Sequence, residues 1–348
     1  MVNLPTLRYI RSLKNKWLAC AGLHSLQQLL RLSPGKLKQL DANSRYILFT
    51  IPKKDGSKRM IENPPEPLKE LQRKINDYLQ AVYYFTRHPA SFGFCLRVKN
   101  EQHPHTIYTH ALQHTGCHYL LNADLKDFFH TVSWQKVYDV FSRPPFIHNE
   151  AAVKWLCHIT THAGRLPMGA PTSPVVSNLA ATALDLAMDA LARRNNCRYT
   201  RFADDLSFSS VQPYSNTLKE EVLACIQEQG FVPNLNKIKD FGKKDIKIVT
   251  GLQVGRTVSL GKEYWKKTDM LLAQLSSLLC LMQHRPSITV HNQVEDIKEK
   301  INGFLAFAKM IGGPENEKIQ QTESRLMNMD EELEMYESLA WDEIPYQF

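Results

Sequence analysis

Apolar and polar positions follow two different periods along this chain. Leu23, Leu26, Leu29, Leu30 and Leu37 recur at helical spacing within residues 1–45, and Ser33-Pro34 supplies a helix start. Tyr46 to Glu62 (YILFTIPKKDGSKRMIE) reads as a hairpin turning through Asp55-Gly56. Leu68 to Phe85 returns to helical spacing. Tyr119 to Ala123 is a short apolar strand that ends on Asp124, and Ser133 caps a helix running to about Phe141. Pro167 to Pro174 is a Gly/Pro-rich loop. Ser173 as cap and Pro174 at the first helical position then predict one long Ala/Leu-rich helix to about Arg194.

Strict alternation returns at Leu206, Ser207, Phe208 and Ser209, so Tyr199 to Ser209 reads as two strands about a tight turn. Leu218 to Gln229 is helical and stops at Gly230. From Lys262 onward the pattern is helical, with a break at Arg285-Pro286. No internal repeat, βαβ rhythm or glycine fingerprint interrupts this mixture, which predicts an α+β fold.

Charge changes the picture. The 348 residues carry a net +8, but residues 314–348 hold ten acids against two bases, a net −8, leaving +16 on the rest. A body that basic suits a polyanion, with nucleic acid the leading candidate; a solvated basic surface is the plainer alternative. Seven cysteines lie scattered without a CxxC pair, which fits a reducing compartment. Met1 to Leu23 offers no signal-peptide core, and Leu271 to Met282 is too short and polar to span a bilayer. The expectation is a soluble, cytoplasmic protein with no membrane partner.

Asp204 and Asp205 stand side by side in RFADDLSFSS. A turn is needed to bring both carboxylates to one spot, since neighbours in a strand point to opposite faces. At 4 Å and an effective dielectric of 20 they repel by about 4 kcal/mol, and the apolar flanks Phe202, Leu206 and Phe208 keep water from relieving it. A bound Mg²⁺ would relieve it, being a hard cation that prefers carboxylate oxygens; an Asp-Asp turn in solvent is the ordinary alternative. Asp124 tips the balance, because a second apolar strand delivers it to its own C-terminal end. Three such carboxylates suit two divalent ions about 3.5–4 Å apart, the arrangement for in-line nucleotidyl transfer.

YLLNADLKDFFHTVSW, GRLPMGAPTSPVVSNLAA and RYTRFADDLSFSS, in that order, resemble motifs A, B and C of reverse transcriptases. IPKKDGSKRMIENP resembles the fingers segment of that family and GFVPNLNKIK its motif D, so the resemblance covers about residues 46–310. Val249-Thr250-Gly251-Leu252 and the LPxGAPTSP form of motif B are similar to those of bacterial retron reverse transcriptases.

The resemblance implies a right-hand polymerase. Residues 1–118 would form N-terminal helices and fingers, 119–256 the palm (with fingers elements at about 135–170), 257–313 the thumb and 314–348 an acidic tail. It implies Asp124, Asp204 and Asp205 as catalytic metal ligands, with Leu125 in the same set, for two Mg²⁺ ions or Mn²⁺ in their place. Phe129 falls where the family places its steric gate against a ribose 2′-OH. Lys53 and Arg59 would clamp the incoming triphosphate, Met168 (where the family usually has Gln) and Gly169 would support the nucleotide, and Lys237 would hand a proton to pyrophosphate. Lys262, Tyr264, Trp265, Lys266 and Lys267 interleave aromatics with cations and suit RNA contact.

The implied reaction is RNA-templated synthesis of DNA from deoxynucleoside triphosphates. A dedicated structured non-coding RNA would be both template and primer. Synthesis from a guanosine 2′-OH would leave the DNA product branched from RNA, in a system of antiphage defence with an effector protein. The stretch after the thumb is expected to be too short for an RNase H domain. The alternatives are an abortive-infection type reverse transcriptase with different priming, a catalytically idle RNA-binding scaffold, and a plain nucleic-acid-binding protein.

Two features stand apart. His103, His105, His110, His114 and His118 cluster beside Cys117, and the 110/114/118 spacing on one helix face would suit zinc, although Thr115 and Gly116 weaken that helix. In the tail, Leu326, Met329 and Leu333 give weak helical spacing before the apolar finish Leu339, Trp341, Ile344, Tyr346 and Phe348. The tail could be disordered, lie against the basic body, or dock a partner.

Overall fold

A computed structural model describes residues 4–33, 35, 45–52, 56, 58–146, 149–284 and 287–342, with the side chains of 332 and 334–342 left aside. The Ser33-Pro34 start, Leu37, Lys53, Asp55, Arg285-Pro286 and the residues from Ile344 on fall outside that description or are only partly within it. The chain falls into two compact units, Met1–Thr250 and Gly251–Phe348.

In the first unit, α1 (Leu7–Leu18) and α2 (Leu23–Leu29) precede a hairpin of β1 (Ile47–Pro52) and β2 (Lys58–Asn63). The strands are antiparallel with Pro52 opposite Lys58, and every residue of β1 is exposed. Next, α3 (Glu66–Thr86) starts on Pro65-Glu66 and buries Leu68, Leu71, Ile75, Leu79 and Val82, a run at spacings of three and four. After α4 (Ile107–Leu112) comes β3 (Tyr119–Asp124), then α5 (Trp134–Ser142), capped as expected by Ser133 Oγ on the Lys136 N–H, and α6 (Glu150–Thr160).

The helix expected over 173–194 is two helices, α7 (Ser173–Ala180) and α8 (Thr182–Arg194), bent by 49° at Ala181. Residues seven apart on a straight helix stand about 10.5 Å apart along its axis. The bend lets Asn178 and Asp185 reach one guanidinium, that of Arg201. Ser173 is also not the cap: its hydroxyl donates to the Pro167 carbonyl at 2.7 Å. Beyond, β4 (Arg198–Phe202) and β5 (Asp205–Ser210) form the expected pair about a tight turn, and α9 (Leu218–Glu228) ends before Gly230. β6 (Lys239–Phe241) and β7 (Lys247–Val249) complete the unit.

β4, β5, β3 and β6 lie in that order in one antiparallel sheet. β3 is therefore central, and its even burial (Leu120, Leu121, Ala123, Asp124) explains why it reads as an apolar run rather than an alternating one. One continuous core under the sheet joins Leu121, Leu206 and Phe208 to Val137, Leu156, Val175 and Leu184.

The second unit opens with β8 (Leu252–Val254) and β9 (Val258–Ser259), followed by α10 (Lys262–His284), α11 (Ile288–Gly312) and α12 (Glu317–Asp342). The tail joins this core: Ile319, Leu326 and Leu333 are buried beside Leu272, Leu275, Val294 and Ile301. Arg325–Asp269 and Lys298–Asp330, each 2.9 Å, tie the same helices together at the surface. Among the described residues no single helix is long and apolar enough to cross a membrane.

Candidate active site

The sheet register carries Asp124 and Asp205 to the same place. Asp124, the last residue of β3, pairs directly with Asp205, the first residue of β5, while Phe202 of β4 is the other partner of Asp205. Ala203 and Asp204 form the two-residue turn between β4 and β5. The Leu125 N–H donates to the Asp204 carbonyl at 2.9 Å, fixing the turn against the end of β3. The three acids therefore meet at one corner of the sheet.

That turn is strained and held from two sides. Ala203 sits at φ +58°, left-handed for a residue with a side chain, at a cost of about 1–3 kcal/mol. The segment before it presses close: a Cβ on Gly93 would lie 2.3 Å from the Ala203 nitrogen, so only glycine fits there. Beneath the turn, Arg201 is fully buried and all five guanidinium N–H groups are used. Nε and Nη2 donate to the two oxygens of Asp185 at 2.7 Å, Nη1 to Asn178 Oδ1 and the Ala203 carbonyl at 2.9 Å, and Nη2 also to Ser91 Oγ at 3.1 Å. Sequence reasoning misses Arg201, although a charged residue three positions before Asp204 in a strand is a visible signal. Its partners Asp185 and Asn178, from the bent helices, leave no such trace.

Burial and mutual repulsion govern the acids. Asp204 is raised above its ordinary range by burial first and by Asp124 second, with Lys237 and Arg59 opposing. Asp205 opens to solvent, yet the surrounding protein, Asp204 and Asp124 push it up to about 6 against Lys237 and Lys239. Asp124 is buried and engaged: Lys237 Nζ donates to Oδ1 at 2.7 Å and Asn234 Nδ2 to Oδ2 at 2.9 Å. Asn234 is a second residue that sequence reasoning misses; its own N–H also donates to the Asp124 carbonyl, at 2.8 Å. The Asp124 hydrogen bond, outweighing desolvation, raises the Lys237 ammonium, so it stays charged.

Among the described residues no three His, Cys, Asp or Glu side chains converge as a ready-made metal site, and both oxygens of Asp124 are taken. The donor chemistry nonetheless fits a divalent cation. The oxygens are hard, the carboxylates lack enough counter-charge, and the ammonium on Asp124 belongs to a half-exposed, long side chain that can swing away. Leu125 has a buried side chain with no ligand atom, so only its carbonyl could join such a set.

Of the residues expected around the nucleotide, Lys237 lies on Asp124 and the charge of Arg59 reaches Asp204, while Lys53 lies outside the described residues. Arg59 is exposed on β2, near enough for its charge to act on Asp204. Phe129 is half-buried, its ring 5.8 Å from Phe94 and 5.9 Å from Phe128. Met168 and Gly169 lie against β2 through the Glu62 N–H, which donates to the Met168 carbonyl at 2.7 Å.

Three expectations need correction. Tyr264 does not offer a free face for RNA: its hydroxyl donates to the Phe304 carbonyl and its ring packs on Phe304 and Phe307. Trp265 is likewise half-buried, with Lys318 over its ring, while Lys262, Lys266 and Lys267 are exposed. Burying two aromatic rings at the base of α10 outweighs presenting them to solvent. The histidines do not line one helix face, because α4 ends at Leu112. Buried His114 instead bonds Ser209 at 2.7 Å and Thr200 at 2.6 Å, and buried His110 bonds Thr200 at 2.7 Å; burial pushes His110 down to about 3. Both rings are neutral pillars between α4 and the sheet.

Residues 51–254 match the family described as Reverse transcriptase (RNA-dependent DNA polymerase). The chain belongs to the reverse transcriptase family. It is 32% identical over 270 residues to the retron Ec86 reverse transcriptase of Escherichia coli, covering 74% of this chain and 78% of that one. It is also 32% identical over 263 residues to the retron Mx162 reverse transcriptase of Myxococcus xanthus, covering 66% and 52%. The chain thus spans about half the length of the Mx162 enzyme. Similarity to further retron enzymes, at 26–29% identity, places it among the bacterial retron reverse transcriptases. Among solved structures, telomerase from Candida albicans in complex with a TWJ fragment of telomeric RNA superposes with a TM-score of 0.45 at 10% identity, over 88% of this chain and 68% of that one. Family membership implies dependence on a divalent metal.

Proposed function

We propose that this chain synthesises DNA on an RNA template, with Mg²⁺ or Mn²⁺ held by Asp124, Asp204, Asp205 and the Leu125 carbonyl. The observation that carries this is the register pairing of Asp124 with Asp205, with Asp204 on the intervening turn. The metal, when bound, supplies charge neutralisation for the attacking hydroxyl and the leaving pyrophosphate. The remaining work belongs to side chains. Arg59, with Lys53, draws in the triphosphate; Phe129 closes the space a ribose 2′-OH would need; Met168 and Gly169 bear on the base and sugar. Lys237, released from Asp124, is a charged ammonium placed to give a proton to pyrophosphate.

The retron relatives support a finer reading. The template and primer are one structured non-coding RNA, priming is from a guanosine 2′-OH, and the product is branched, RNA-linked, multicopy single-stranded DNA. The exposed Lys262, Lys266 and Lys267 on α10 contact RNA phosphates. The complex acts in the cytoplasm in antiphage defence with an effector protein. The test is to express the gene with its flanking sequence, extract bound nucleic acid and treat it with RNase. DNA of one fixed length, branch-linked to RNA and absent from the Asp204→Ala/Asp205→Ala variant, is the expected result. DNA of mixed length or attached to protein would favour the abortive-infection type, and no DNA from either form an RNA-binding scaffold.

A further inference from the structure

Three segments assigned above to the incoming nucleotide, the Arg59 hairpin, the one with Phe129 and the one with Met168 and Gly169, meet at one side chain that belongs to none of those roles. Glu62, at the end of the hairpin that carries Arg59, is 4% exposed. Its carboxylate accepts from Arg165 Nη1 at 2.9 and 3.1 Å, from the Met168 N–H at 3.0 Å and from His130 Nε2 at 2.9 Å. Its own N–H donates to the Met168 carbonyl at 2.7 Å, so Met168 is gripped at both backbone groups. Gly169, at φ +137°, lies so close that a Cβ there would stand 2.8 Å from the Glu62 carbonyl oxygen. His130 directly follows Phe129. Burial works to raise the Glu62 carboxyl, but Arg165, the Met168 N–H and His130 outweigh it and hold it below its ordinary range, ionised.

We propose that Glu62 is the positioning residue of the nucleotide site, setting the spacing between Arg59 on the fingers hairpin, Phe129 behind the sugar and the Met168–Gly169 loop under the base. This rests on the assignment of those four residues to the incoming deoxynucleoside triphosphate. The carboxylate is a single anion shared by three strands of chain that are distant in sequence. Removing its charge leaves the Arg165 guanidinium without its counter-ion and weakens the hydrogen bonds from His130 and the Met168 N–H. Misplacement by about 1 Å at such a site costs up to roughly 10²-fold in rate, and here it falls on the nucleotide rather than on the acids.

The test compares wild type, Glu62→Gln and Glu101→Gln in the RNA-bound protein. Glu101→Gln breaks a different shielded ion pair, to Arg87 at 2.8 Å, outside the nucleotide site. Glu62→Gln is expected to raise KM for deoxynucleotide about tenfold and to increase incorporation of ribonucleotides relative to deoxynucleotides. Its kcat is expected to stay within about threefold, with RNA retained. Glu101→Gln is expected to lower thermal stability with KM and sugar selectivity unchanged. Should Glu62→Gln not fold, Arg165→Met removes the same ion pair from its more exposed side and is expected to shift KM in the same direction. Unchanged KM and selectivity in an active Glu62→Gln or Arg165→Met enzyme, or a loss in proportion to stability in all variants, overturns the inference alone. No deoxynucleotide incorporation by wild type overturns the polymerase reading and this inference with it.

Discussion

Lys237 Nζ lies 2.7 Å from Asp124 Oδ1, so the ammonium stands where a divalent cation would draw on that carboxylate. Residues of the short helical turn Leu235–Lys237 and of β3 are brought together only by the fold. A cation that binds Asp124 Oδ1 competes with this ammonium for the same oxygen. Lys237→Met removes the competitor, so Mn²⁺ titration of nucleotide-free protein, followed by electron paramagnetic resonance, is expected to show tighter binding. Pyrophosphate-releasing turnover is expected to fall in the same variant. Unchanged Mn²⁺ affinity would show that Lys237 does not compete for this carboxylate.

Asp205→Asn separates function from stability. Loss of one carboxylate from the acid cluster is expected to reduce DNA synthesis by about 10³-fold, equivalent to about 4 kcal/mol. In chelator at pH 8 the same variant is expected to melt higher than wild type. The sign comes from the raised carboxyl: pushed from 3.8 to about 6, it resists ionising in the folded chain, so its cost to stability grows as pH rises between those values and is complete above the upper one. The advantage of the variant should therefore shrink as pH falls below about 6 and vanish below about 4. Melting curves across pH check this directly.

Arg201→Met tests the support beneath the turn. Stranding the buried Asp185 without its guanidinium is expected to cost about 3–5 kcal/mol, measured by denaturant unfolding. The double variant Arg201→Met/Asp185→Leu is expected to recover much of that stability, since no charge is then stranded. Its activity is not expected to return, because the Ala203 carbonyl has lost the donor that holds the turn.

Leu326→Ala asks whether α12 is part of the second unit's core. Leu326 is buried against α10 and α11, so truncation is expected to cost about 2–5 kcal/mol. The exposed comparator Met327→Ala is expected to change little. Equal melting temperatures for the two variants would mean that α12 does not stabilise this unit.

Much of this protein is legible because its signals are local. Ser133 and Gly230 mark element ends through interactions that span only a few residues, and β3 reads as a short apolar strand because Leu120, Leu121 and Ala123 are all buried. The turn at Ala203-Asp204 is legible for the same reason, as a break between two strand-like runs. The 173–194 region misleads because nothing in an Ala/Leu-rich run marks a bend, and the bend serves a guanidinium in another element. The tail hides its packing because Ile319, Leu326 and Leu333 form a sparse stripe among acids.

The sequence by itself singled out three carboxylates, since strand ends, a tight turn and the resemblance of the ordered motifs point to Asp124, Asp204 and Asp205. It also determined the family. The sheet register showed that Asp124 faces Asp205. Only the tertiary structure decided who attends those acids: Lys237 and Asn234 on Asp124, Arg201 beneath the turn, Glu62 between the hairpin and Met168, and the withdrawal of Tyr264 into a helical core. The reason is physical. Periodicity and turn chemistry act between residues a few positions apart, whereas a buried charge takes its partner from whatever distant segment packing brings within about 3 Å.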